Sequence, residues 1–225
     1  MISKEMQDFW ETCHKNFSHI EISGHLKDYN TLTSAWEKQF VERMNFEDAI
    51  VLDYGIGGGF LGKYLFENKK IKKYYGVDIA HRSLEVARKN LSSIGEFGLP
   101  SGECSAIPSG ESFGLLHTDD FYSNFNAEVD IIISQACIQH FVNEEYLKQF
   151  LKKINSLNAK YIMLQIAYGV NTTFVKDNPY NSVQTIVRAC YTNKSYILKY
   201  LTEYNLEYES QCEPSGYQFL IFSKK

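Results

Sequence analysis

The chain is 225 residues long, with a net charge of −4, 44% hydrophobic and 22% charged residues. This is the composition of an ordinary globular protein, and the length suits one substantial domain. The acidic balance argues against nucleic acid as the main partner, no apolar run reaches membrane-spanning length, and the N-terminal MISKEMQDFWETCHKNF lacks the apolar core of a signal peptide. The cysteines Cys13, Cys104, Cys137, Cys190 and Cys212 show neither a disulfide framework nor metal-ligand spacing, so reduced thiols in a cytoplasm and no bound metal are expected.

Residues 1–30 are polar and aromatic with weak periodicity, and are expected to form a lid segment before the fold proper. Ser34-x-x-Glu37 has the form of a capping box and predicts a helix of about ten residues after it. Its apolar face would include Trp36, Phe40 and Met44. AIVLDYG, residues 49–55, reads as a strand buried on both faces. KKYYGVDIA, residues 72–80, is a second strand ending in Asp78. The helix after it carries Leu84, Ala87 and Leu91 on one side. Residues 95–112 read as a surface loop. FGLLHTDDF, residues 113–121, predicts a third strand ending in Asp119 and Asp120. VDIIISQACIQHF, residues 129–141, holds a fourth strand, and Asn143 is placed to cap the next helix. AKYIMLQIAYG, residues 159–169, is a fifth. Residues 170–192 break the rhythm and read as an insertion near a substrate site. A helix over 193–204 and two closing strands joined by Pro-Ser-Gly complete the chain. Strands alternating with helices imply a parallel sheet covered on both faces.

Between the first strand and its helix lies Asp53-x-Gly55-x-Gly57-x-Gly59. Glycines there let backbone approach a ligand closely. The acid before the turn suits a ligand carrying an ammonium group, as S-adenosylmethionine does, and would repel a pyrophosphate. The competing reading is a dinucleotide fingerprint, Gly57-x-Gly59-x-x-Gly62, with Asp78 as the ribose acid. Asp53 beside the phosphates weighs against it.

Over about residues 31–225 the chain resembles the class I S-adenosylmethionine-dependent methyltransferases. The resemblance rests on the acid and glycines after the first strand, Asp78 ending the second, an acid ending the third, and the closing hairpin. It implies a Rossmann-like α/β fold: a mostly parallel seven-stranded sheet, helices on both faces and a C-terminal antiparallel hairpin. It further implies that Asp53 and the Gly55, Gly57 and Gly59 backbone hold the amino-acid end of the cofactor, and that Asp78, beside Ile79, holds the ribose. Asp119 or Asp120 would bind the adenine amine, with Asp120 favoured because Phe121 then lies beside the ring. Ser134, Gln135 and Ala136, ending the fourth strand, would sit where donor meets acceptor. The chain departs from the family at Ala80, where members often carry Ser or another cap.

SQACIQHF is similar to the same segment of small-molecule methyltransferases, including those of bacterial surface-polysaccharide clusters. His140 is the candidate base for an acceptor hydroxyl, with packing at a helix start as its alternative role. His117 reads as structural, and one of His14, His19 and His25 as a candidate to face the substrate. Asp177-Asn-Pro-Tyr180 reads as a turn rather than an amino-methyltransferase motif. Phe174, Tyr180 and Tyr191 read as pocket walls or packing. The expected activity is methyl transfer to a small polar acceptor, foremost O-methylation of a sugar, a nucleotide-linked sugar or another polysaccharide precursor. The alternatives are N-methylation of a small amine and a non-catalytic cofactor-binding subunit.

Overall fold

A computed structural model describes residues 4–16, 29–92, 94, 112–174, 189–213 and 216–225. Five parallel strands form the centre of the sheet: β1 (Ile50–Tyr54), β2 (Lys73–Asp78), β3 (Phe113–His117), β4 (Ile131–Ser134) and β5 (Tyr161–Ala167). The closing hairpin, β8 (Tyr204–Glu209) and β9 (Tyr217–Lys224), adds at the β5 edge, with β9 antiparallel to both neighbours. The order is β3-β2-β1-β4-β5-β9-β8, a seven-stranded sheet of Rossmann-like methyltransferase topology. Chain direction along the sheet reverses between β1 and β4, and in open α/β sheets ligands sit at the strand carboxyl ends beside that point.

Successive strand residues point to opposite faces, so the apolar runs supply two cores at once. Leu52, Ile132 and Ile162 join one core, and Val51, Ile133 and Met163 the other. Helix α6 (Glu144–Ser156) covers the first face with Leu147, Phe150, Leu151 and Ile154. Asn143 caps it as expected, its side chain accepting from the Tyr146 amide at 2.8 Å. The second face is covered by α2 (Tyr29–Gln39), α3 (Phe60–Lys69) and α4 (His81–Leu91), the last burying Leu84, Ala87 and Leu91.

Several predicted boundaries move. Ser34 lies inside α2, which begins at Tyr29, so Ser34-x-x-Glu37 is no capping box here. Leu32 and Trp36, four residues apart, bury the same side of a helix that began earlier. Phe40 and Met44 are buried but lie beyond the helix, around a 3₁₀ turn at Val41–Arg43. β3 stops at His117, and Thr118–Ser123 form a short helix, α5, with Asp119 and Asp120 in its first turn. The His117 ring ends the strand by accepting from the Asp119 amide at 3.3 Å. The predicted helix over 193–204 is only α7 (Lys194–Leu198), capped by Asn193.

The predicted insertion contains a small pairing of β6 (Thr173–Phe174) with β7 (Cys190–Tyr191). Asp177 and Tyr180 lie outside the described residues. The segment returns with the Ala189 amide donating to the Gln139 carbonyl at 2.7 Å, beside the 3₁₀ turn Ile138–His140.

The first thirty residues hold a regular helix, α1 (Lys4–Asn16), burying Met6, Phe9 and Cys13. It packs against α4 and supplies what Ala80 lacks. The Glu11 carboxylate accepts from the His81 amide at 2.6 Å and the Arg82 amide at 3.2 Å, capping α4 from another element.

Candidate functional site

The site begins where β1 ends. Gly55, Gly57 and Gly59 adopt φ of +87°, +53° and +74°, a region in which any Cβ costs energy. A Cβ on Gly55 would also stand 2.6 Å from that of Cys137. The amides of Gly55 and Ile56 donate to the Val77 carbonyl at 2.8 and 3.0 Å, tying the turn to β2. Asp78, at the end of β2, accepts from the Gly57 amide at 3.0 Å and from the Ala80 amide at 2.9 Å. One carboxylate thus joins the glycine turn to the start of α4.

Asp53 is buried just below the turn, and Tyr74 donates its phenol proton to Oδ2 at 2.5 Å. Its carboxyl is raised to about 7, chiefly by burial, against a downward pull from the Tyr74 hydrogen bond and with a smaller upward push from the Asp78 charge.

A cavity of about 660 Å³ opens over these strand ends, a size suited to a small-molecule site. Of the residues singled out in the sequence, Asp53, Gly55, Gly57, Asp78, Ile79, Gln135 and His140 line it. Asp119, Asp120 and Phe121 are not among the described lining residues; the two acids are exposed on α5, Phe121 is buried in the core, and Thr118 stands at that wall instead. Gly59 lies behind the wall, where a Cβ would press within 3.1–3.3 Å of Ala87 and Leu91. Neither Phe174 nor Tyr191 is among the described lining residues, and Phe174 packs on the core.

Beyond the glycine turn the wall is assembled from distant segments. His140 is buried at the end of the 3₁₀ turn, its ring 4.8 Å from that of Trp10 in an edge-on contact. His14 of α1 also faces the cavity, and burial drives its imidazole down to about 4, against a smaller upward pull from Glu11. It is therefore neutral near pH 7. His19 and His25 lie outside the described residues. Gln165 of β5 holds the turn after β4 by accepting from the Ala136 amide at 2.9 Å. Ala136 has φ of +50°, an uncommon conformation for a residue with a side chain. Gln39 donates to Glu213 at 3.3 Å, and both line the cavity. Trp10, Gln165 and Glu213 were not signalled by any motif. Only α1 had a usable signal, since buried Met6, Phe9 and Cys13 follow helical spacing.

Residues 52–158 match the family described as a methyltransferase domain. No curated protein sequence matches the chain significantly. The fold is similar to that of magnesium protoporphyrin IX methyltransferase from Synechocystis PCC 6803, solved with S-adenosylhomocysteine. The TM-score is 0.60 at 15% identity, covering 97% of this chain and 94% of that one. It is also similar to the N-methyltransferase NodS of Bradyrhizobium japonicum WM9, again with S-adenosylhomocysteine, at TM-score 0.62, 11% identity and 99% coverage of both chains. A third, an S-adenosylmethionine-dependent methyltransferase from Clostridium acetobutylicum ATCC 824, gives TM-score 0.61 at 18% identity over 94% of this chain and 99% of that one. Residues 52–158 thus carry a methyltransferase domain, and the fold around it is that of S-adenosylmethionine-dependent methyltransferases. The methyltransferase domain makes it an enzyme. Among the described residues no helix is long and apolar enough to cross a membrane.

Proposed function

We propose that this enzyme O-methylates a small polar acceptor of sugar type. In this reading the cofactor lies across the carboxyl ends of β1, β2 and β4. Asp53 and the glycine turn take its amino-acid end, and Asp78 its ribose diol. The buried Asp53 fits such a ligand, because a carboxyl held up to about 7 by desolvation gains from an incoming ammonium. When bound, S-adenosylmethionine supplies an electrophilic methyl on sulfur, and S-adenosylhomocysteine is left after transfer. The protein orients the acceptor in line and excludes water. His140 takes the hydroxyl proton. Helix α1 acts as a lid, since Met6, Trp10 and His14 face the cavity while Glu11 latches onto α4.

The observation that carries the proposal is the burial of the His140 ring in the cavity wall against Trp10, one short turn past β4. The charges of the wall narrow the acceptor. The described lining holds Asp53, Asp78 and Glu213, and neither Lys nor Arg. That favours an unphosphorylated sugar over a nucleotide-linked one.

A second reading, N-methylation of a small amine, is favoured by Glu213, a third carboxylate suited to a cationic acceptor. The similar fold of NodS, an N-methyltransferase, is compatible with it. Release of S-adenosylhomocysteine across panels of unphosphorylated sugars and of small amines separates the two. Turnover with sugars that collapses in His140→Ala supports O-methylation. Turnover confined to amines overturns it.

A further inference from the structure

We infer that Tyr74 is a positioning residue for the cofactor: its phenol holds the Asp53 carboxylate in place, and Gly62 is the gap that admits the ring. The inference rests on the reading that Asp53 receives the cofactor's ammonium group.

Tyr74 lies in the middle of β2, paired with Val51 of β1, and its side chain is fully buried on the α3 face of the sheet. A buried phenol needs a partner. Here the partner is Asp53, two residues further along β1, at 2.5 Å. The ring reaches that position under the first turn of α3. A Cβ on Gly62 would stand 2.6 Å from Cζ and 2.7 Å from Cε1 of the ring, so any side chain there expels it. The Gly62 backbone also acts electrostatically on the phenol, in the direction that lowers its pKa. The third glycine of the dinucleotide-like spacing Gly57-x-Gly59-x-x-Gly62 therefore has a packing role.

The other ionisable groups acting on Asp53 work against its charge. Asp78 repels it, and the half-buried Cys137 thiol would do so if ionised. Among the described residues, Tyr74 is the side chain that donates a hydrogen bond to it. Without that bond the carboxyl would be neutral over more of the pH range and free to turn in its pocket. With Oδ2 tied to the phenol, Oδ1 is left for the ligand.

The test uses Tyr74→Phe, which keeps the ring and removes the hydroxyl. Calorimetry measures binding of S-adenosylhomocysteine from pH 5.5 to 8.5, and of methylthioadenosine, which has the same nucleoside but no amino-acid end. For the wild type, S-adenosylhomocysteine affinity rises with pH and levels off as Asp53 ionises. In Tyr74→Phe that rise should move up by about one pH unit, weakening binding by roughly fivefold at pH 7 and by about tenfold at pH 5.5, with the two proteins converging at high pH. Methylthioadenosine binding should be unchanged. Gly62→Ala, which displaces the ring, should move the curve the same way. An unshifted curve in Tyr74→Phe overturns the inference, and so does an equal loss for both ligands, which marks a purely structural role. Asp53→Asn separates the underlying reading. If it keeps the wild-type curve, Asp53 does not receive the ammonium and the assignment of Asp53 itself fails.

Discussion

The two ends of the cavity are built differently. The end at the glycine turn comes from one continuous stretch, β1 through the start of α4, in which four backbone amides donate to Asp78 or to the Val77 carbonyl. The other end gathers His14 and Trp10 of α1, Gln39 of α2, His140 after β4, Gln165 of β5 and Glu213 of the closing hairpin. A contiguous stretch can hold one cofactor with little freedom for change. A wall made of separate segments can alter one residue at a time without disturbing the turn, so acceptor choice belongs to the second end.

The largest expected effect lies at that second end. With a hydroxyl acceptor, His140→Ala should lower turnover by about 10²–10⁴-fold while S-adenosylhomocysteine affinity stays within a few fold. Steady-state kinetics paired with calorimetry checks this. Equal losses of turnover and cofactor affinity would join the two ends into one unit and break the comparison.

His14 gives a pH signature. An imidazole driven to about 4 by burial is neutral in the folded protein, whereas an unfolded histidine titrates near 6.5. Its contribution to stability is therefore complete above pH 6.5 and is lost as pH falls toward 4, by up to about 3 kcal/mol. Asp53 works in the opposite sense. Its raised value costs stability as pH rises from about 4 to 7. Denaturant unfolding at pH 7 and 4.5 should show His14→Gln losing less stability on acidification than the wild type. An identical acid loss would mean that His14 does not carry it.

At the first end, Asp78→Ala should weaken S-adenosylhomocysteine by at least tenfold, since a charge-assisted hydrogen bond is worth roughly 1.5–3 kcal/mol. An unchanged dissociation constant would remove Asp78 from the ribose site.

The smallest effect tests the latch between the ends. Glu11→Ala removes the borrowed cap of α4 and should cost about 1 kcal/mol. Hydrogen exchange should then quicken in α1 and at the start of α4. If α1 is a lid, cofactor should slow exchange there in the wild type; equal exchange with and without cofactor would deny it that role.

The same contrast explains what the sequence revealed. β1, the glycine turn and β2 were legible because each is fixed by neighbours in sequence: an apolar run, positive-φ glycines and an acid ending a strand. The end of β3 was misplaced because TDDF fits a strand end and a helix start equally, and the deciding His117 cap is a side-chain contact. Ser34 misled for a similar reason: its spacing to Glu37 occurs within helices as readily as at their starts. Ala80 was rightly seen to lack a cap, but its replacement, Glu11, lies far away in sequence. Of the second end only His140 and the group His14, His19 and His25 were flagged. Gln165, Glu213 and Trp10 reach the cavity through tertiary packing that no local pattern records.

The central claim is that the buried acid before the glycine turn holds the cofactor's ammonium end. Calorimetric titration of S-adenosylmethionine into the wild type and Asp53→Ala tests it most directly. The account predicts clear binding to the wild type and a loss of at least tenfold in the folded variant. Equal affinity for both proteins would contradict it.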